Sequence, residues 1–369
     1  MESIRGVEDG VKILFIIKHR ESYQCWNSEE CAKLQGGEYG SLSSGLLHSA
    51  QFIVSMLNQE SISAKLVQVR DNNDIDREVC RFNPEVVVIE ALWVVPEKFN
   101  ELHKLHPRVW WVIRGHSEIP FLAQEGIAVD WITRYLRQPN VIVAANSDRS
   151  YSDFEAVAHS IGLAESSKVA YLPNYFPLAP SRKHGKLMSE SHLDMACLGA
   201  IRPLKNQLIQ AIAALRFARK EGKFLCFHMN TSRAETGGES VCKNVRALFH
   251  RAKEGRLVEH EWLSRSEMLD LLLACDAGMQ VSYSETFNLV AAEMVNLGLP
   301  VVGSSAIPWL SHFSVADPND SLDIASKLAF VTSPMGRASS CFLNRHGLAK
   351  HCEEAKRIWL EFLGVASKD

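Results

Sequence analysis

The sequence predicts an α/β protein of two domains, each built on a parallel sheet flanked by helices. Three observations predict it. Short continuous apolar runs recur, among them Val11–Ile17 (VKILFII) and Val86–Ala91 (VVVIEA), the pattern of strands buried on both faces. Segments with helical spacing alternate with these runs, which is the order of a doubly wound sheet. The chain has 369 residues, more than one hydrophobic core usually serves, so it should divide.

In the first half, strands are expected at 11–17, 64–69, 86–91, 109–113 and 141–145. Helices are expected at 46–58, 74–81, 96–105 and 150–161. The segment Glu21–Ser43 is too long for an ordinary strand–helix connection and carries Tyr23, Trp26, Gly36, Gly37 and Tyr39, so a functional loop is expected there. Pro177, Pro180 and the polar run SRKHGK read as a linker, with the boundary near 178. In the second half, strands are expected at 194–198, 224–229 and 257–263, and helices at 207–220, 241–252, 267–274, 321–330 and 348–363. Ser264 and Glu267 have the spacing of a capping box at one of these helix starts.

Bulk properties narrow the function. Net charge is −3, so nothing draws the whole chain to nucleic acid or an anionic membrane. Residues 1–178 hold 17 Lys+Arg against 23 Asp+Glu, and the remainder 23 against 20, so a phosphate-rich ligand suits the second half better. The nine cysteines form no CxxC pair and no metal-binding spacing, which points to reduced thiols in a cytoplasmic protein and to no metal. The N-terminal apolar run is shorter than that of a signal peptide, and no run reaches a membrane span. No GxGxxG follows an early strand, which argues against a dinucleotide oxidoreductase.

Two stretches carry chemistry. Val281–Gly303 reads as a strand end, loop, helix, turn and strand. Glu285 lies in its loop, and Glu293 lies eight positions on, inside the apolar helix run around Ala291, Ala292, Met294 and Val295. A carboxylate inside such a run is costly to bury unless partnered, which suggests a ligand with hydroxyl donors. The second stretch runs from Gly199 to Asn206, between a strand and a helix, and includes Arg202 and Lys205. Cations are disfavoured at a helix N-terminus, so this pair points to a bound anion.

The Glu285-x7-Glu293 arrangement resembles the signature of retaining glycosyltransferases of the GT-B fold, particularly glycosyltransferase family 4. The resemblance spans most of the chain and is strongest over residues 194–206 and 257–303. It implies GT-B architecture: two Rossmann-like, doubly wound domains facing a central cleft. Residues 1–178 would form an acceptor domain, with the C-terminal helix 352–369 packing back on it, and residues 179–351 the donor domain. It implies an enzyme that transfers a sugar from a nucleotide-diphosphate sugar, a UDP-sugar foremost, to an acceptor hydroxyl with retention and without metal or other cofactor. The acceptor stays open among a glycan, a small molecule and a modified DNA base.

The same resemblance implies residue roles. Glu285 would lie by the donor sugar and Glu293 would accept from the ribose hydroxyls. Arg202 and Lys205 would bind the diphosphate, with Gly199 at the preceding strand end. Trp262 and Leu263 would meet the base, and the backbone of Phe287, Asn288 and Leu289 would serve the donor. Gly45 would let the backbone approach the phosphates. His116, after the strand at 109–113, would lie near the sugar, making Glu285, His116, Arg202 and Lys205 the catalytic set. The chain departs from the family where Glu-Gly-Phe-Gly is usual: it reads Glu285-Thr286-Phe287-Asn288, placing two side chains near the expected sugar. On the acceptor side, Lys18, Arg20, Arg114, Arg134, Arg137 and Arg149 could line a groove for a polyanion, and Glu118 could meet an acceptor hydroxyl. Phage-type DNA glycosylation, a non-catalytic GT-B-like binding protein, and an epimerase or phosphorylase are the competing readings.

Overall fold

The computed structural model describes residues 11–19, 45–163, 168–179, 184–186 and 188–365. The expectations for Arg20, Tyr23, Trp26, Gly36, Gly37 and Tyr39 lie outside these residues. The chain forms two compact units. Of the described residues, one unit takes those up to Pro177 together with those from Cys352 onward, and the other takes those from Leu178 to His351.

In the first unit the order is β1 (Lys12–Lys18), α1 (Gly45–Gln59), β2 (Ser63–Val69), α2 (Asp74–Phe82), β3 (Val86–Glu90), α3 (Lys98–Leu105) and β4 (Trp110–Gly115). It continues with α4 (Ile119–Leu122), α5 (Ala128–Leu136), β5 (Val141–Ala145), α6 (Asp148–Ser160) and β6 (Val169–Tyr171). The six strands pair in the order β2-β1-β3-β4-β5-β6, all parallel. Alternation along β1 feeds two cores. Leu14 and Ile16 join one apolar cluster with α2, α3 and α5, whereas Ile13, Phe15 and Ile17 join another with α1 and the C-terminal helix. Both faces of the strand are therefore dry, which is why its sequence is uniformly apolar rather than alternating.

The second unit runs β7 (His192–Ala196), a 3₁₀ turn (Pro203–Lys205), α7 (Gln207–Glu221), β8 (Phe224–Asn230), α8 (Gly238–Arg251), β9 (Gly255–His260), α9 (Arg265–Ala274) and β10 (Ala277–Gln280). Then come α10 (Leu289–Leu297), β11 (Val301–Gly303), α11 (Ser321–Thr332) and α12 (Pro334–Phe362). Its five strands pair in the order β11-β10-β7-β8-β9, again all parallel. The first strand of this unit, β7, sits between β8 and β10. The connections leave β7 and β10 in opposite directions there, so a crevice opens beyond their C-terminal ends.

Several element boundaries differ from the sequence reading. The strand expected at 257–263 ends at His260, because its partner β8 ends at Asn230, the residue paired with it. Trp262 and Leu263 therefore lie in the following loop. The final helix begins at Pro334 rather than 348. It runs straight through Gly347, where a Cβ would collide with the Trp309 carbonyl, so close backbone approach explains a glycine inside a helix. Helices α4 and α5 were not anticipated, although α5 buries Ala128, Ile132, Tyr135 and Leu136 at helical spacing.

Trp359 of α12 anchors the C-terminal segment in the first unit. It is fully buried, its ring lies 5.6 Å from Phe15, and its Nε1 donates to the Pro173 carbonyl at 2.9 Å. Trp359→Ala should lower stability by about 3–5 kcal/mol through cavity formation and an orphaned carbonyl. Urea unfolding followed by tryptophan-independent far-UV circular dichroism measures this. A loss below about 1 kcal/mol would show that the segment contributes little.

Candidate functional site

In the second unit the sequence-predicted residues gather beyond the ends of β7 and β10. Local hydrogen bonds explain how. Asn206 adopts a left-handed conformation (φ 60°) after the 3₁₀ turn, and its Nδ2 donates to the carbonyls of Val281 (3.0 Å) and Pro318 (2.8 Å). The buried Gln210 side chain accepts from Val281 N (2.9 Å) and donates to the Lys205 carbonyl (2.8 Å). Tyr283 N donates to the Leu204 carbonyl at 2.8 Å. These bonds stitch the turn bearing Lys205 to the loop bearing Glu285. Lys205 Nζ then lies 2.5 Å from Glu285 Oε1.

Arg202 pairs elsewhere. Its Nε lies 2.9 Å from Glu235 Oε2, and Glu235 also accepts from Arg233 Nε at 2.5 Å. Arg233 in turn sits over the Trp262 ring, 4.5 Å from its centroid, so Trp262 is covered on one face by a cation. Gly199 has φ +122°, a conformation that L side chains resist, and its N–H donates to Asn230 Oδ1 at 3.0 Å. Leu263 lies in the loop before α9, partly exposed.

Glu293 is buried in α10, as the apolar run around it suggested, and its partner is internal. Arg265 holds it in a bidentate pair, Nε to Oε1 at 2.7 Å and Nη2 to Oε2 at 3.1 Å. Burial pushes the Glu293 carboxyl above its ordinary value, and Arg265 offsets only part of that push. Arg265 was not singled out in the sequence, though the signal was present. It opens α9 directly after the capping-box residue Ser264, an unfavourable place for a cation unless an anion is near.

The Thr286–Leu289 stretch also resolves. Phe287 is a core side chain, 1% exposed and packed on Trp309 and His351, so only its backbone could meet a ligand. Asn288 has φ 65° and caps α10 by accepting from Ala291 N at 2.8 Å. Its side chain is directed into the protein rather than outward, a correction to the expectation that it would crowd the sugar. Leu289 is the first residue of α10.

In the first unit, His116 follows β4. Its Nε2 contacts Glu90 Oε2, and its Nδ1 lies 3.3 Å from Asn146 Nδ2, so both ring nitrogens face internal partners. Glu90 and Arg114 are fully buried, with Arg114 donating to both Glu90 oxygens (3.2 and 3.1 Å), to Asn174 Oδ1 (2.5 Å) and to the Leu172 carbonyl (2.9 Å). Burial pushes the His116 imidazole below its ordinary value, which Glu90 only partly counters. Arg114 is thus a structural cation and cannot line a polyanion groove, contrary to expectation. Arg134 pairs with Glu97 and Asp130, and Arg149 with Glu118, which is itself largely buried. Lys18 lies 6.0 Å over the Trp93 ring, and Arg137 is the C-cap of α5. Gly45 is the exposed first residue of α1.

Among the described residues, one group of side chains could hold a metal ion: Asp76, Cys80 and His106. It lies on α2 and at the end of α3, apart from the residues above, and Asp76 Oδ1 already accepts from His106 at 2.7 Å.

No protein-family model matches the sequence, and no curated protein matches it. Solved structures do match. A UDP-forming α,α-trehalose-phosphate synthase from Burkholderia xenovorans aligns over 97% of this chain and 100% of its own, at 12% identity and a TM-score of 0.64. Anabaena HepE, solved with UDP and glucose, aligns over 96% and 100%, at 14% identity and a TM-score of 0.61. The N-terminal domain of Candida albicans trehalose-6-phosphate phosphatase aligns over 97% of both chains, at 10% identity and a TM-score of 0.67. At such identities the likeness is one of fold. The chain has the GT-B fold, two α/β domains with all-parallel sheets.

The raised Glu293 carboxyl has a consequence for stability. A carboxyl whose folded-state value exceeds its unfolded value costs nothing below the unfolded value, and the cost grows as pH rises through the folded value. Glu293→Gln should therefore equal or exceed the parent in stability at pH 7, with the advantage shrinking as pH falls toward the ordinary carboxylate range. Melting temperatures across pH 4–8 test this. A variant clearly less stable at pH 7 would show that the Arg265 pair outweighs the burial cost.

Proposed function

We propose that this chain is a retaining glycosyltransferase that moves a sugar from a nucleotide-diphosphate sugar to an acceptor hydroxyl. The observation that carries the reading is the Lys205–Glu285 pair at the β7/β10 crevice, with the buried Glu293 about one turn into the helix that Glu285 precedes. Resemblance to glycosyltransferase family 4 in the Glu-x7-Glu spacing supports it. UDP is the first nucleotide to consider, because the similar structures include a UDP-forming synthase and a complex with UDP and glucose.

In this reading Lys205 and Arg202 exchange their carboxylate partners for the diphosphate. As the glycosidic bond breaks, negative charge grows on the departing phosphate, and cations already aimed there need little reorganisation. These side chains and the α10 N-terminus supply the positive charge, so the proposal needs no metal. Glu285 orients the sugar through its hydroxyls, and the acceptor hydroxyl enters from the leaving-group face, with the diphosphate oxygen taking its proton. Glu293 accepts from the ribose hydroxyls, replacing part of its pairing with Arg265. Arg233 and Trp262 form a flat surface suited to the nucleobase. Residues 1–178 would hold the acceptor and residues 179–351 the donor. His116 is proposed near the sugar as a neutral imidazole. A cytoplasmic location is proposed too: no described helix is long and apolar enough to cross a membrane, and the seven described cysteines are free thiols.

A thermal-shift screen with UDP, GDP, ADP and their sugar conjugates tests the reading, since a ligand of the folded state alone raises its melting temperature. UDP and a UDP-sugar should stabilise the protein with metal chelated. Lys205→Ala and Glu293→Ala should each weaken that binding by about tenfold or more while staying folded, the cost of a hydrogen bond to a charged group. Unchanged affinity in both folded variants would remove these residues from the site.

A further inference from the structure

Asn288 stands where the resembled motif has glycine, and its side chain forms a closed set of bonds. Its φ of 65° lies in the left-handed region, where asparagine is among the few substitutes for glycine. Oδ1 accepts from Ala291 N at 2.8 Å, which fixes the amide orientation. Nδ2 then donates to Glu285 Oε1 at 3.0 Å and to Gln280 Oε1 at 2.9 Å. Gln280 is oriented in turn, because its Nε2 donates to the Leu198 carbonyl at 3.0 Å. Asn288 is 7% exposed and Gln280 4%, so the chain Leu198–Gln280–Asn288–Glu285 is held by burial as well as by bonds.

One carboxylate oxygen of Glu285 thus receives two donors of different kinds. Lys205 is a charged donor on a flexible stem, with 23% of its side chain exposed. Asn288 is neutral and fixed at both ends of its amide. A diphosphate would draw the Lys205 ammonium away, leaving Glu285, 9% exposed, without that cation. The Asn288 amide stays where it is.

We propose that Asn288 is a positioning residue that holds Glu285 for sugar recognition when Lys205 transfers to the diphosphate. This rests on the donor-site reading above. The retained amide occupies one acceptor site of Oε1 and fixes the carboxylate, leaving the rest of the acceptor capacity of Glu285 for the ligand. The sugar class that fits is a neutral sugar donating from its ring hydroxyls, since a uronic acid would set a second anion against Glu285.

Two variants separate positioning from folding. Asn288→Gly keeps the backbone conformation and costs only a few tenths of a kcal/mol as a helix cap. Asn288→Asp keeps the cap acceptor but loses the amide donor at neutral pH. Calorimetry with UDP and with UDP-glucose on parent and variants reads the gain that the sugar adds to UDP affinity. At pH 7.5 the expected result is UDP affinity within about twofold of the parent in Asn288→Gly, with the sugar gain reduced by about tenfold in both variants, the worth of one hydrogen bond to a charged group. In Asn288→Asp the gain should return as pH falls and the introduced carboxyl takes a proton it can donate, while Asn288→Gly stays low. If the parent shows the sugar gain and both variants keep it at pH 7.5, Asn288 does not position Glu285, and the donor site stands without it. If the sugar gain is lost but Asn288→Asp shows no recovery in acid, the loss is structural and the proposal fails. A parent that binds neither UDP nor UDP-glucose overturns the donor-site reading and this inference together.

Discussion

The candidate site depends on the hydrogen bonds that tie the turn at 203–206 to the end of β10. Lys205 and Glu285 are far apart in sequence, and neither side chain could find the other without that tie. Asn206 and Gln210 supply it with buried side-chain amides bonded to backbone groups of Val281, Pro318 and Lys205. Backbone groups at a strand end must be satisfied, so these amides serve the fold and the site at once. The sheet order adds the other requirement. With β7 between β8 and β10, both loops leave the sheet at the same crevice.

Burial sets the character of the carboxylates. Glu293 could have been a solvent-facing helix residue, but Ala291, Ala292, Met294 and Val295 around it are all buried, and so is it. Arg265 offsets only part of the burial cost of its ionised form. Glu90 in the first unit shows the opposite balance. Burial pushes its carboxyl up, yet Arg114 and His116 together hold it below the ordinary carboxylate value. The first arrangement holds the carboxylate proposed to meet the ribose. The second is a closed internal network joining the C-terminal ends of β3 and β4 to Leu172 and Asn174.

The central strands of the first sheet were legible because β1, β3 and β5 are apolar almost without interruption, a pattern set by burial on two faces, whereas β2 and β9 carry polar residues between apolar ones. Runs such as Val141–Ala145 matched their strands residue for residue, since charged or turn-forming neighbours bound them. Boundaries set by a partner were not legible: β9 stops where β8 stops, and nothing in EHEWL says so. In the site, Glu293, Arg202 and Lys205 could be singled out because each sits in an unusual local setting, a carboxylate in an apolar run or a cation before a helix, and Glu285 by its eight-residue spacing from Glu293. Their partners could not be paired from sequence. Glu235 looked like loop polarity, and Arg114 looked like surface charge until its full burial against Glu90 was seen. Asn288 looked like an obstruction because composition gives a side chain's size but not its direction.

The cations proposed for the site, or holding one of its carboxylates, are all paired: Lys205 with Glu285, Arg265 with Glu293, and Arg202 and Arg233 together with Glu235. On the proposed reading these carboxylates partly neutralise the cations, so inorganic phosphate would gain less by approaching them than it would from unpaired cations. A ligand must supply replacements for the carboxylates as well as for the cations. In that reading a molecule bearing anionic and hydroxyl groups at matching separations does both, and the pre-formed pairs would discriminate against simple anions.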